Sequence, residues 1–173
     1  GFEHQMRFSW KDIDRIKTYC DLPIIIKGIA TKEDAILAVE HGVEVIYVSN
    51  HGGRQLDFGL GGLKVLPEIV DAVGKDATIF FDGGIMRGTD VVKALSLGAD
   101  VVGIGRLQGL AAAAGGSKAI YRMLELLELE IITCLRLLGV NDITDLNSSL
   151  LTKDDSFGTL DALSAFPLIN EGY

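Results

Sequence analysis

Four short segments, 22–27, 43–49, 78–82 and 101–106, are rich in Ile, Val and Phe and apolar on both faces. A strand with two apolar faces must be covered on both, which is how buried strands of a parallel sheet read. Between them the apolar spacing becomes helical. Segment 32–40 carries Ala35, Ala38 and Val39, segment 65–73 is similar, and 89–97 groups Val91, Val92, Ala94 and Leu95. A longer helix is predicted over about 118–138. Strand and helix in alternation predict βαβ units and an α/β fold.

The chain also repeats itself. A shift of 56 residues carries Gly28-Ile29 onto Gly84-Ile85, Asp34 onto Asp90, Ala38 onto Ala94, Gly42 onto Gly98 and Val45 onto Val101. In each copy an Asp enters the first helical turn, where the helix dipole favours a negative charge. In each a Gly follows the helix, where a left-handed exit favours it. A βαβα unit used twice suits one half of an eight-fold barrel, and less well a doubly wound sheet. A whole barrel takes about 250 residues, and this chain has 173. Four strands would leave two unpaired edges, so a second half closes the barrel or the chain is a piece of something longer. Its start at Gly1, with Met6 the first methionine, points the same way.

Composition narrows the function. The chain has 24 acidic and 16 basic residues and a net charge of −8. With no Lys/Arg cluster, general binding to nucleic acid or an anionic membrane is not expected. Cys20 and Cys134 lack the spacing of a zinc site or a disulfide framework, so no metal is expected and a reducing cytoplasm is. No apolar run reaches the roughly 18 residues of a membrane span, and no secretory signal opens the chain.

Each strand finishes in polar residues or glycine: Lys27-Gly28, Ser49-Asn50-His51, Asp82-Gly83-Gly84 and Gly105-Arg106. In a (β/α)8 barrel function gathers at this C-terminal face. The stretch Ser49-Asn50-His51-Gly52-Gly53-Arg54-Gln55-Leu56-Asp57 is the most informative. Its glycines allow a tight turn and leave room for a ligand. Its His exchanges a proton near neutral pH, and its Arg presents a planar fork suited to a carboxylate.

The string SNHGGRQLD resembles the signature of the FMN-dependent 2-hydroxy acid dehydrogenases and oxidases, the family of glycolate oxidase, lactate oxidase and flavocytochrome b2. PIIIKGI, DGGIMRGTDVVKALSLGAD and VVGIGR match other segments of that family in the same order. The resemblance runs from about Phe8 to Leu146. It implies the C-terminal half of a TIM barrel, strands 5–8 with their helices, over residues 1–146, followed by a tail over 147–173. It implies FMN as cofactor and oxidation of a small (S)-2-hydroxy acid, with His51 as base and Arg54 on the substrate carboxylate. Lys27 matches the lysine beside the flavin N1/O2 edge and Ser49 a flavin contact. Asp82, Gly83, Gly84, Gly105 and Arg106 match the ribityl and phosphate site. Many members carry two arginines after DGG. Here the first is replaced by Met86, and Arg87 remains as a candidate. Leu107 stands where many members have Pro.

The resemblance further implies an electron acceptor (oxygen, a quinone or a cytochrome), a homo-oligomer, and an N-terminal half-barrel that supplies the rest of the pocket. Without that half the chain is expected to be inactive. A Schiff-base role for Lys27 in an aldolase-like barrel leaves SNHGGRQLD without a use. Elsewhere, His41 is expected to cap a helix and His4 to be solvated. Trp10, Tyr47 and Tyr121 are expected to pack, and Glu125, Glu128 and Glu130 to form a solvated helix face. Asp57 could orient Arg54. Residues 59–62 and Gly115-Gly116 are expected to be loop and turn.

Overall fold

A computed structural model describes residues 7–153. The elements are α1 (Trp10–Lys17), β1 (Ile25–Ile29), α2 (Lys32–Glu40), β2 (Val45–Val48), α3 (Gly62–Val73), β3 (Thr78–Asp82), α4 (Gly88–Ser96), β4 (Val101–Gly103) and α5 (Arg106–Leu138). Three short 3-10 turns, His51–Gly53, Ile143–Asp145 and Ser148–Leu150, complete the list. The expected position of His4 lies outside the described residues, as does most of the tail.

All neighbouring strands are parallel, in the order β1-β2-β3-β4. A doubly wound sheet reverses its strand order at a switch point; this one does not. Its helices gather on one face. Ile46 and Val48 of β2 and Ile79 and Phe81 of β3 are buried in one core with Ala35 and Ala38 of α2, Leu66 and Ile69 of α3, and Ala94 of α4. The residues between them point to the other face, where Lys27, Tyr47, Phe80 and Val101 stand in register across the four strands. That face is open, with Ile25 52% and Val101 41% exposed. A parallel sheet covered by helices on one side and left concave on the other is one half of a (β/α)8 barrel.

The repeat is visible in the backbone. Gly42 and Gly98 leave α2 and α4 with φ of 71° and 96°, a region that costs other residues about 1–2 kcal/mol. Thr31 caps α2, its hydroxyl accepting from the Asp34 N–H at 3.2 Å. Asp90 closes α4, accepting from the N–H groups of Met86 and Arg87 at 3.1 and 2.9 Å.

Several expectations are corrected. β4 ends at Gly103, because Gly105 turns the chain with φ −102° and ψ −92° into α5. Helix then begins at Arg106 and runs to a break at Gly115 and Gly116, whose dihedrals are not helical. The alanine run before the break has no amphipathic period, so the sequence pattern passes over it. α1 likewise has no counterpart among the predicted helices. It opens on Ser9, whose N–H and hydroxyl donate to Asp12 at 2.8 and 3.0 Å, and it buries Ile13. Trp10 stacks on His41 with ring centroids 5.7 Å apart. His41 is the C-cap of α2 and bonds Asp14 at 2.6 Å. Tyr121 does not pack as expected: it is 66% exposed.

α4 and α5 meet closely at Gly88. A Cβ there would lie 2.5 Å from the Glu130 Cβ and 2.7 Å from the Ile131 nitrogen. Gly-to-Ala in an exposed helix is favourable by roughly 0.5–1 kcal/mol. Here overpacking outweighs it, so Gly88→Ala is expected to lower stability by about 1–3 kcal/mol, measured as the shift of the denaturant midpoint.

Candidate active site

The site begins with a hydroxyl. Ser49 follows the last residue of β2 and is buried, and its backbone N–H is held by the Ile29 carbonyl at 3.2 Å. Its Oγ donates to Asp82 Oδ1 at 2.5 Å. It accepts from Lys27 Nζ at 2.8 Å and from the His51 backbone N–H at 3.1 Å. Lys27 Nζ also pairs with Asp82 Oδ2 at 2.9 Å and lies 4.8 Å from the centre of the Tyr47 ring. Lys27 from within β1, Ser49 just past β2 and Asp82 at the end of β3 therefore share a single polar cluster. Burial and the negative charge of Asp82 hold the Tyr47 phenol above its usual pKa.

The chain next turns sharply. Asn50 accepts from the Gly53 N–H at 3.2 Å, and the 3-10 turn His51–Gly53 carries His51 at φ 56°. A positive φ at a non-glycine residue marks strain of the kind found at functional sites. It sends the imidazole out of the sheet end, where Gln55 Nε2 meets His51 Nδ1 at 3.0 Å. Nε2 is thus the ring nitrogen left to meet a ligand. Sequence reasoning gave Gln55 no part.

His51, Gly52, Arg54, Asp82, Gly83, Gly84, Met86, Gly103, Gly105 and Arg106 line one open hollow of about 390 Å³. Gly52, Gly83, Gly84 and Arg106 also border a second hollow beside it. Lys27 and Ser49 do not line the first hollow; Asp82 connects them to it. Asp57 does not line it either, whereas Arg54 does. Gly83 and Gly84 take φ of 118° and 74°. A Cβ on either, or on Gly105, would meet no atom within 4 Å, so bare backbone faces free space. Arg106 is the first residue of α5, where the helix dipole adds to its charge. Glycine backbone, a helix start and a guanidinium fit a phosphate-bearing ligand.

Arg87, a candidate phosphate ligand by resemblance, does not line the hollow. Its Nε and a terminal nitrogen pair with Glu130 Oε1 of α5 at 2.8 and 2.7 Å. The other oxygen of Glu130 accepts from the Gly88 N–H at 2.7 Å. Glu130 is therefore not part of a solvated face, and sequence periodicity offered no signal for it. Glu125 pairs with Arg122 at 2.9 Å, and Glu128 is exposed. The Arg87 guanidinium and then the Gly88 N–H hold the Glu130 carboxyl below its ordinary range.

A family model described as FMN-dependent dehydrogenase matches residues 2–153. The chain is 47% identical over 148 residues to an L-lactate dehydrogenase (cytochrome) of Wickerhamomyces anomalus, covering 83% of this chain and 26% of that protein. It is 44% identical over 145 residues to an L-lactate oxidase of a Nostoc species, covering 83% and 39%. Among solved structures, a mandelate oxidase with benzoyl-formic acid superposes with a TM-score of 0.76 at 42% identity, covering 79% of this chain and 41% of that one. The chain thus spans less than half the length of these proteins.

Ser49→Ala leaves the Lys27 ammonium and the His51 N–H without their shared acceptor and should cost about 1–3 kcal/mol, read from denaturant unfolding. A carboxyl depressed by folding stabilises above its ordinary value and loses that contribution as pH falls through the folded value. The stability gap between the native chain and Glu130→Gln should therefore narrow as pH drops below the ordinary 4.5, measured by unfolding across an acid series.

Proposed function

The chain belongs to the FMN-dependent dehydrogenase family, and on that premise we propose that it forms the C-terminal half of an enzyme that oxidises a small (S)-2-hydroxy acid to the 2-oxo acid. One observation carries the reading. The turn after β2 puts an imidazole and a guanidinium, His51 and Arg54, on the same hollow as glycine backbone and Arg106.

Bound FMN would supply the two-electron acceptor. Gly83, Gly84, Gly105 and Arg106 would hold its phosphate and ribityl chain, and Asp82 would meet that chain from the end of β3. Lys27, braced by Ser49 and Asp82, places a positive charge at the same sheet end, where it favours electron-rich ligands. Arg54 binds the substrate carboxylate through its fork. Arg54 thereby sets the orientation of the carbon bearing the hydroxyl. Oxidation removes two protons and two electrons from the substrate, of which the acceptor would take both electrons and one proton. His51 Nε2 takes the other proton, and the imidazole holds it until it is released to water.

Two partners belong to this reading. Four further strands would close the concave face, either in the same polypeptide or as a separate half-barrel. An electron acceptor would then take the electrons onward. One relative is named for a cytochrome and another as an oxidase, and a quinone is the third candidate. Two free cysteines favour a reducing compartment such as the cytoplasm. Among the described residues no helix is long and apolar enough to cross a membrane. Association of the whole protein into a homo-oligomer is part of the same proposal.

The test uses the protein with its complete barrel. It should bind FMN, turn yellow, and bleach when L-lactate or a similar 2-hydroxy acid is added without oxygen. His51→Asn should keep the colour and lower kcat by about 10²–10⁴, while Arg54→Lys should chiefly raise KM, both read by steady-state kinetics. A folded protein that stays colourless with added FMN overturns the reading. Full turnover by the 173-residue chain alone overturns the need for a second half.

A further inference from the structure

Within the stretch 83–87 the hollow receives Gly83, Gly84, Ile85 and Met86 but not Arg87. The guanidinium is engaged elsewhere by a two-pronged contact with Glu130, at 2.8 and 2.7 Å. Such forks fix direction as well as charge. The same carboxylate accepts the Gly88 N–H at 2.7 Å, one of the donors a helix start leaves without an internal partner. From within α4, Asp90 holds the N–H groups of Met86 and Arg87. The backbone just beyond Gly83 and Gly84 is thus pinned from two helices. Met86, uncharged, lines the hollow, and its arginines are Arg54, read above as the carboxylate ligand, and Arg106.

We propose that Glu130 is a positioning residue that keeps Arg87 out of the hollow and fixes the Gly83–Met86 turn against α5, so that Arg106 and not Arg87 confers preference for a phosphorylated flavin. The flavin part rests on the reading above. The joint itself stands on the contacts alone.

The experiment strips the complete-barrel protein of flavin and measures dissociation constants for FMN and for riboflavin, which lacks the phosphate. Their ratio is the phosphate preference. Arg87→Ala should leave that ratio within about twofold of native, whereas Arg106→Ala should lower it about tenfold or more, as loss of a charge-assisted contact does. In the Arg87→Ala background, where no freed guanidinium can enter the hollow, Glu130→Ala should lower it several-fold by slackening the turn. In that background Glu130→Gln, whose one amide oxygen still accepts from Gly88, should restore it. A purely packing role for Glu130 would weaken both flavins equally and leave the ratio unmoved, and that result overturns the proposal. So does a tenfold loss of preference in Arg87→Ala. The joint is checked apart from flavin by unfolding. The midpoint of the Arg87→Ala/Glu130→Ala double variant should match that of Glu130→Ala alone, and additive losses overturn it. If the native protein binds neither flavin, the flavin reading fails while the unfolding cycle still decides the joint.

Discussion

The Ser49 hydroxyl ties three neighbouring strands to one another. It gives its proton to Asp82 and receives from Lys27 and from the backbone of His51. Asp82, whose side chain is only 19% exposed, would be costly without a partner. Across β2, the Ser49 hydroxyl and the Lys27 ammonium both supply it one. The turn that carries His51 starts from the same atom, because the His51 N–H rests on it. The position of the imidazole is therefore coupled to the position of the lysine charge, although the two side chains do not touch.

That coupling works because the sheet has two unlike faces. Ile46, Val48, Ile79 and Phe81 commit one face to the helices. With a period of two, the intervening residues go to the concave side: Lys27, Tyr47, Phe80 and Asp82. Tyr47 lies under Lys27 and packs edge-on against Phe80 at 5.6 Å. Its hydroxyl also fills the space over Gly103 that a side chain would need. The apolar rows below and the polar cluster above together form the inner wall of half a barrel, open where four more strands would close it.

Much of this was legible in sequence. Two-faced apolar runs, helical periods between them and the 56-residue repeat announced parallel βα units, and the repeated glycines fell at left-handed helix exits. SNHGGRQLD marked the turn that carries His51 and Arg54. Other features left no local trace. Glu130 sits 43 residues from Arg87 on a helix whose other acids meet solvent or a neighbouring arginine, so no spacing rule distinguishes it. The first turns of α5 are alanine-rich and lack a period. Gln55 reads as an ordinary loop residue until the left-handed backbone of His51 brings the two together.

By itself the sequence determined most of the segments that become strands and helices, which face of each is apolar, and which residue types collect near the strand ends. These depend on periodicity and on backbone preferences that act over a few residues. Tertiary structure alone decided that the strands run in unbroken order with all helices on one side. It alone joined Lys27, Ser49 and Asp82 around one hydroxyl, and it alone drew Arg87 to Glu130 and away from the hollow. Those outcomes depend on which groups meet across distant parts of the chain. Hydrogen bonds and ion pairs reach only about 3 Å, so partners far apart in sequence are settled once the sheet and its helices have packed.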